Sequence, residues 1–222
     1  MRSEPAGGAN TLPARFVDAV VAAPARLGGV RLVAIDGPSG SGKSWLADRL
    51  VAVLRAAGLR TALVRTDEFA TWDEPVSWWP RLVDGVLTPL AAGRPGSYRR
   101  TVWVDGVPRL AEEADDGDVT LEVPDVLLIE GVSAGRVSVR PKLSVLVWCE
   151  LADPALRLQR AVARDGESCR EPLAAWQGFE DGWFAIDDPR SSAMFLVDVP
   201  VMNHPNSPRD SGKRASSGYT SW

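Results

Sequence analysis

A glycine-rich segment at residues 37–44 carries the side chains whose types and spacing could do chemistry. Its sequence, GPSGSGKS, fits the pattern G-x-x-x-x-G-K-[ST]. In such a loop the glycines leave backbone N–H groups free to point at phosphate oxygens, the lysine ammonium binds the β- and γ-phosphates, and the serine hydroxyl is a ligand for Mg²⁺. The segment therefore predicts that a nucleoside triphosphate binds at Gly37, Ser39, Gly40, Ser41, Gly42, Lys43, Ser44 and Trp45.

The residues on both sides of this loop are typical of a strand and a helix. Arg31–Asp36 is an apolar run of the kind found in buried parallel strands. After the loop, apolar residues continue at helical spacing to residue 54. A strand followed by a loop and a helix directs the positive N-terminal end of the helix at a bound anion, so these elements can position the motif.

Two further strand-like segments carry acidic residues where they end. Residues 60–66 lead into Asp67, and residues 125–131 contain Glu130. In open parallel α/β sheets the ligand crevice lies beyond the carboxyl ends of the strands, where both acids would lie beside the phosphate loop. We therefore expect Glu130 to hold Mg²⁺, directly or through water, together with Ser44.

A tryptophan-rich stretch, TWDEPVSWWP, occupies residues 71–80. Large aromatic side chains mostly pack in proteins, so a hydrophobic loop against the body of the molecule is one interpretation. The other is a substrate wall, in which aromatic faces stack on a planar group and Asp73 binds hydroxyls. The sequence leaves both interpretations open.

Arginines recur on a predicted helix that begins at Asp153-Pro154. Arg157, Arg160 and Arg164 are spaced by three and four residues, which puts them on one helix face. One interpretation is a solvated basic face. The other is a lid helix that brings guanidinium groups onto the transferring phosphoryl group, helped by Arg170.

Length and element order predict one α/β domain. We expect a parallel sheet of about five strands with helices on both faces, from segments 31–36, 60–66, 125–131, 144–150 and 193–199. Helices are predicted at 12–23, 81–92 and 176–187, with a small hairpin insertion at about 98–123 that turns at residues 105–106. Residues 1–11 are predicted to be a loose terminus, residues 1–202 one domain, and residues 203–222 a disordered tail.

Composition excludes several classes of function. The 222-residue chain has a net charge of −4, so it has no basic field for polymeric nucleic acid or an anionic membrane. One histidine and two cysteines cannot form a zinc cluster or a histidine-based triad. The cysteines are typical of a reducing compartment, and no segment is long enough to span a bilayer. The sequence thus predicts a cytoplasmic protein with a small-molecule partner, and it leaves a homo-oligomer open.

Most of the chain between residues 30 and 199 resembles the uridine kinase family of phosphate-loop nucleoside kinases. The stretches that carry the resemblance are GPSGSGKS, Asp67-Glu68-Phe69 followed by Trp72-Asp73-Glu74-Pro75, Gly93-Arg94-Pro95 with Tyr98, Ile129-Glu130-Gly131, and the arginine-bearing residues 157–165. The resemblance implies the three-layer α/β/α fold of P-loop NTPases, with ATP and Mg²⁺ as cofactors.

The resemblance also implies roles for single residues. Asp67 would be the catalytic base and a neighbour of the metal, Asp73 would bind ribose hydroxyls, and the catalytic arginines would be Arg160 and Arg164. Where relatives carry a polar, often aromatic and acidic hairpin that recognises the pyrimidine, this chain has Arg99-Arg100-Thr101-Val102-Trp103. Substrate contacts are then expected from Trp72, Asp73, Tyr98, Arg99 and Trp103.

These observations predict a kinase that transfers the γ-phosphoryl group of ATP to a hydroxyl of a nucleoside such as uridine or cytidine. Two alternatives remain: a kinase for another hydroxylated metabolite, pantothenate-like or sugar-like, and a catalytically weak nucleotide-binding protein. An ordinary GTPase is excluded because its Asn/Thr-Lys-x-Asp motif is missing, and Lys142 and Lys213 lie in RPKLS and SGKRA. A transporter ATPase is disfavoured because its Ser-Gly-Gly-Gln signature is missing.

Overall fold

The computed structural model describes residues 12–104, 106–112 and 117–198. The predicted loose terminus at 1–11 and the predicted tail at 203–222 lie outside the described residues. Among the described helices, none is both long enough and apolar enough to cross a membrane.

The centre of the molecule is a parallel sheet of five strands, in the spatial order β2-β7-β1-β8-β9. The nine strands of the described chain are β1 (Arg31–Asp36), β2 (Thr61–Arg65), β3 (Gly96–Arg99), β4 (Thr101–Val104), β5 (Val107–Leu110), β6 (Asp118–Leu121), β7 (Val126–Glu130), β8 (Leu143–Glu150) and β9 (Phe195–Asp198). Glu130 pairs in register with Ile35 on one side and with Arg65 on the other. The carboxyl ends of β1, β2 and β7 are therefore level, as the sequence predicts.

Two hydrophobic cores lie on opposite faces of this sheet. Within β1, Leu32 and Ala34 belong to one core, and Val33 and Ile35 belong to the other. This alternation follows from the two-residue period of a strand. Burial of each such Leu, Val or Ile side chain contributes about 2 kcal/mol to folding. The predicted three-layer α/β/α architecture is confirmed.

Six α-helices accompany the sheet in the described residues: α1 (Leu12–Ala22), α2 (Lys43–Ala56), α3 (Trp79–Leu82), α4 (Thr88–Ala91), α5 (Pro154–Asp165) and α6 (Arg170–Asp187). Helices α1 and α2 pack on one face of the sheet through Phe16, Val20 and Leu50. The segment from α3 to α4 packs on the other face through Leu82 and Leu90.

Two helices differ from their predicted bounds. The helix predicted at 81–92 begins earlier, at Trp79, because Pro80 is tolerated in a first turn that needs no N–H donor. It also widens into a π-helical turn, Val83–Leu87, before α4. The helix predicted at 176–187 begins at Arg170, with Pro172 in its first turn.

The predicted insertion is a ribbon of two antiparallel pairs instead of one short hairpin. Strand β4 pairs with β5 in antiparallel fashion, and Val104 lies opposite Val107, so the chain reverses direction between these two strands, as predicted. Strand β3 pairs with β6. Between the two pairs, the Arg100 N–H donates to the Gly117 carbonyl and the Arg100 carbonyl accepts from the Ala111 N–H, so one residue interrupts the ladder.

Candidate active site

The phosphate loop joins β1 to α2 and lies tightly against two neighbouring segments. Gly37 has φ +142°, and a Cβ at this position would lie 2.1 Å from the Cys149 carbonyl oxygen on β8. Gly40 has φ +79°, and its Cβ would lie 2.3 Å from the Arg157 carbonyl oxygen on α5. Only glycine fits at these two positions, so the spacing of the motif reflects close approach of backbone to backbone.

Asp36, at the end of β1, holds the base of the loop. Its buried carboxylate accepts the backbone N–H groups of Gly37 at 2.7 Å, Ser133 at 3.2 Å and Gly135 at 2.8 Å. Burial raises the pKa of Asp36 to about 7, although these hydrogen bonds and the charge of Lys43 act in the opposite direction. Asp36 therefore ties the loop after β1 to the loop after β7.

The donors at the start of α2 fit a polyphosphate. Lys43 is only 7 % exposed, and its Nζ donates to the Pro38 carbonyl at 3.0 Å. Helix α2 has Gly42 as its N-cap and no side-chain cap, so its first N–H groups can bind an anion. Within the described residues, the Ser41 hydroxyl is buried and has no hydrogen-bond partner. An ammonium, free N–H groups and an orphaned hydroxyl suit a chain of phosphates.

Oxygen ligands that suit Mg²⁺ lie beside this loop. The Ser44 hydroxyl donates to Glu130 Oε1 at 3.3 Å, and Arg65 donates to Glu130 Oε2 at 3.1 Å. Burial raises the pKa of Glu130, the charge of Lys43 lowers it, and the nearby charge of Asp67 raises it again. The described residues contain no group of three or more His, Cys, Asp or Glu that could hold a metal. Magnesium at phosphates commonly uses only one or two carboxylates, so the set fits it.

Asp67 lies in the turn that directly follows β2. This 3₁₀ turn, Thr66–Glu68, leaves the sheet at the same edge as the phosphate loop. The Asp67 carbonyl accepts the indole N–H of Trp103 at 3.0 Å. Its carboxylate is close enough to influence both Glu130 and Arg164. The charges of Asp67, Glu130 and Arg164 therefore influence one another, and these three residues are called the electrostatic group.

Helix α5 packs against the phosphate loop. Asp153 caps it by accepting the N–H groups of Ala155 at 2.9 Å and Leu156 at 3.2 Å, which confirms the predicted start. Of the predicted arginine face, Arg157 is buried, and Arg160 directs a guanidinium N–H to the Gly40 carbonyl at 3.5 Å. The three arginines therefore do not form a single solvated face.

The two remaining arginines have acidic partners of their own. Desolvation opposes protonation of Arg164, but its hydrogen bond with Asp165 and the charge of Asp67 raise its pKa. Arg170, at the start of α6, is half-exposed and forms an ion pair with Glu167. The charge of Asp67 acts on Arg164, whereas no described contact brings Arg170 to the loop.

An aromatic cleft adjoins the turn that carries Asp67. The Trp72 indole N–H donates to the Gly106 carbonyl at 2.7 Å, and its ring meets Trp103 edge-on at 4.9 Å and Trp176 at 5.7 Å. The open cleft has a volume of about 260 Å³ and is lined by Trp72, Asp73, Pro75, Pro172, Ala175, Trp176 and Phe179. Trp78 and Trp79 are instead in the core. Trp78 and Trp79 therefore fit the packing interpretation. Trp72 and Asp73 line the cleft, and their role as a substrate wall stays a prediction.

Tyr98 and Arg99, two predicted substrate residues, have structural partners. Tyr98 is 9 % exposed, stacks on Phe69 at 4.6 Å and donates its hydroxyl to Glu68. Burial raises the pKa of Tyr98. Arg99 makes two hydrogen bonds of 2.9 Å to Asp118 across the β3–β6 pair. Neither residue lines the aromatic cleft.

Solved kinase structures resemble this chain. A possible uridine kinase from Bacillus stearothermophilus matches with a TM-score of 0.59 at 19 % identity, over 85 % of this chain and 98 % of that one. A D-glycerate 3-kinase from Cryptococcus neoformans var. grubii matches with a TM-score of 0.54 at 13 % identity, over 78 % of this chain and 88 % of that one. The chain has a P-loop kinase fold. No protein-family model and no curated protein matches the sequence, so membership of the uridine kinase family stays a prediction.

Within this P-loop kinase fold, sequence reasoning missed the roles of three charged residues. Asp36 accepts backbone N–H groups from the loops that follow β1 and β7. Arg65 donates a hydrogen bond to Glu130. Glu180 on α6 accepts the Ser39 N–H at 2.9 Å. For Asp36 a signal exists, since it directly precedes Gly37. Glu180 lies 141 residues from Ser39, and no local pattern connects the two.

Proposed function

We propose that this chain transfers the γ-phosphoryl group of ATP to a hydroxyl of a small, uncharged molecule, with a pyrimidine nucleoside such as uridine or cytidine as the first candidate. The observation that supports this most strongly is the electrostatic group formed by Asp67, Glu130 and Arg164 beside Lys43. Such a group combines a proton acceptor with positive charge that can stabilise the phosphoryl group during transfer.

Each residue has a task in this reaction. Asp67 accepts the proton of the attacking hydroxyl, because a carboxylate within reach of that hydroxyl can act as general base. Lys43 and the N–H groups at the start of α2 hold the phosphates. Mg²⁺, held by Ser44 and Glu130, would neutralise charge on the phosphate oxygens. Arg160 and Arg164 stabilise the charge that develops during transfer.

The lining of the aromatic cleft favours an uncharged acceptor. Of its seven residues, three are aromatic, two are prolines, and none is a lysine or arginine. A flat face of a base or a sugar can stack on these rings, and the exposed Asp73 can accept hydrogen bonds from hydroxyls. An anionic acceptor such as D-glycerate, the substrate named for one structural neighbour, would meet no cation there.

A product assay with a panel of acceptors tests this function. The chain is incubated with ATP, Mg²⁺ and uridine, cytidine, a neutral sugar, pantothenate or D-glycerate, and phosphorylated products are measured by mass spectrometry. We expect transfer to a neutral acceptor, the nucleosides first. Faster transfer to pantothenate or D-glycerate contradicts the acceptor assignment, and ATP hydrolysis without any product contradicts the transferase itself.

Replacement of Asp67 tests the proposed base. Asp67→Asn keeps the size of the side chain and removes its basicity, so the single-turnover rate should fall by about 10²–10⁴-fold while ATP affinity stays unchanged. Rapid-quench kinetics measures the rate, and calorimetry measures the affinity. The matched control is Asp73→Asn, which should raise the KM for the acceptor with little effect on the chemical step. An undiminished rate in Asp67→Asn would remove Asp67 from this role.

A further inference from the structure

Helix α6 is bound to the phosphate loop through one carboxylate. Glu180 is fully buried, its Oε2 accepts the Ser39 backbone N–H at 2.9 Å, and its Oε1 accepts the Ser39 hydroxyl. Ser39 thus gives both of its donors to a residue from the far end of the chain. Two such hydrogen bonds fix the position of a buried carboxylate, because breaking either bond would leave a buried polar group without a partner.

The same carboxylate lies next to the aromatic cleft. Trp176, which lines the cleft, lies one helical turn before Glu180 on α6, so the two side chains are neighbours on one face of the helix. Burial raises the pKa of Glu180, whereas the charge of Lys43 and the hydrogen bonds from Ser39 act in the opposite direction. Glu180 therefore lies between the cation of the phosphate loop and an indole of the cleft.

Aromatic contacts connect Trp176 to the turn that carries Asp67. Trp176 meets Trp72 edge-on at 5.7 Å, Trp72 meets Trp103 at 4.9 Å, and Trp103 donates to the Asp67 carbonyl at 3.0 Å. Glu180 therefore links this wall of the cleft to the phosphate loop, and Trp103 links it to Asp67, the proposed base.

We propose that Glu180 couples occupancy of the phosphate loop to the arrangement of the aromatic cleft. The coupling rests on the proposed function only in that a nucleotide must bind the loop. A phosphate oxygen that reaches Ser39 competes with the Glu180 carboxylate for the two Ser39 donors, and the like charges repel. Trp176 is the neighbour of that carboxylate on α6, so a movement of the carboxylate changes the surroundings of the Trp176 indole. Glu180 is a positioning residue in this account and does not touch the acceptor.

Fluorine NMR of the full chain labelled with 5-fluorotryptophan tests the coupling. The Trp176 resonance is identified by its absence from the spectrum of Trp176→Phe. We expect it to shift when the Mg²⁺ complex of a non-hydrolysable ATP analogue is added, and we expect Glu180→Gln to lose this shift while it still binds the analogue. Asp181→Asn is the matched control, because Asp181 is exposed and its nearest ionic partner is Arg157 at 3.9 Å. Its shift should equal that of the wild type.

The possible outcomes separate the coupling from the proposed function. If Glu180→Gln does not fold, Ser39→Ala removes the hydroxyl from the loop side and should reduce the shift. A full shift in whichever of the two variants binds the analogue overturns the coupling, and so does a wild type that binds the analogue with no shift. Both of these results leave the kinase proposal intact. A wild type that binds no analogue in calorimetry overturns the coupling and the kinase proposal together.

Discussion

At the scale of single residues, the site is a set of buried carboxylates around one ammonium group. Asp36, Glu130 and Glu180 come from β1, β7 and α6, and the charge of Lys43 acts on each of them. An isolated buried charge is very costly, so each carboxylate depends in part on this lysine. Lys43 thus has a structural role in addition to its proposed role at the phosphates.

Replacement of Lys43 should therefore affect both binding and folding. We expect Lys43→Ala to lower turnover by about 10²–10³-fold or more, because it removes the cation at the phosphates. We also expect it to lower the free energy of unfolding, because three carboxylates lose a counter-charge. ATP turnover and urea unfolding measure the two effects. Lys142→Ala, at an exposed lysine, should change neither, and a Lys43→Ala protein with normal turnover would contradict the phosphate role.

Arg65 makes a second testable contribution. Its guanidinium bonds to Glu130 and to Asp48, at 3.1 and 2.6 Å. Because the Glu130 side chain is only 5 % exposed, Arg65→Met should lower the free energy of unfolding by about 2–3 kcal/mol. Arg60→Met removes the more exposed pair with Asp125, so it should lower the free energy of unfolding by less than Arg65→Met does. Equal costs in urea unfolding would show that Arg65 is not needed to hold Glu130.

How far residues could be predicted depends on how local their partners are. The glycines, Lys43 and Ser44 form one short motif, and their spacing alone predicts a phosphate loop. Asp36 directly precedes Gly37, but its role was missed because its other two partners, Ser133 and Gly135, are 97 and 99 residues away. Glu180 was missed because its partner Ser39 is 141 residues away. Tyr98 carries no local sign that its hydroxyl belongs to Glu68, so the resemblance assigned it to substrate.

At the scale of elements, proline explains where the helix predictions fail. Pro80 and Pro172 look like breakers in the sequence, yet both lie in first turns, where the missing N–H has no cost. The strands of the sheet could be predicted because they are apolar runs at the spacing of α/β units. The interruption of the ribbon at Arg100 could not be predicted, because it depends on hydrogen bonds of Arg100 with Ala111 and Gly117, which lie on other segments.

Two glycines near α6 should respond in opposite ways to the same substitution. Gly182 lies inside α6 with open space around its Cβ position, so Gly182→Ala should raise the free energy of unfolding by about 0.5–1 kcal/mol. At Gly166 a Cβ would make only an ordinary contact, 3.8 Å from the Ser168 hydroxyl, but φ is +101°, so Gly166→Ala should lower that free energy by about 1–2 kcal/mol. Thermal unfolding measures both. The same sign for both would mean that backbone conformation does not decide the effect.

At the scale of the whole molecule, buried carboxylates should make stability depend on pH. Burial raises the pKa values of Asp36, Glu68, Glu130 and Glu180. A raised folded-state pKa favours the neutral form in the fold, so this stabilisation is complete below the unfolded pKa and is lost as pH rises. For Asp36, from 3.8 to about 7, the loss is on the order of 4 kcal/mol.

We therefore expect the Tm of the ligand-free chain to fall by roughly 10 °C between about pH 5 and pH 8. Below about pH 4 the trend should reverse, because Asp118 and Asp125 have pKa values lowered by Arg99 and Arg60, and their pairs are lost in acid. Scanning calorimetry across this range measures the profile. A Tm that rises steadily toward pH 8 would show that the buried carboxylates do not dominate.

The distance along the chain between Ser39 and Glu180 has a consequence for biosynthesis. During translation the glycine-rich loop leaves the ribosome while α6 is still unsynthesised, and strands β1, β2 and β7 emerge before β8 and β9. A nascent chain that ends before residue 180 contains the whole glycine-rich motif but lacks Glu180, whose carboxylate accepts the Ser39 N–H. The assembled pocket is thus a late product of folding, formed only when the last third of the protein docks on the first.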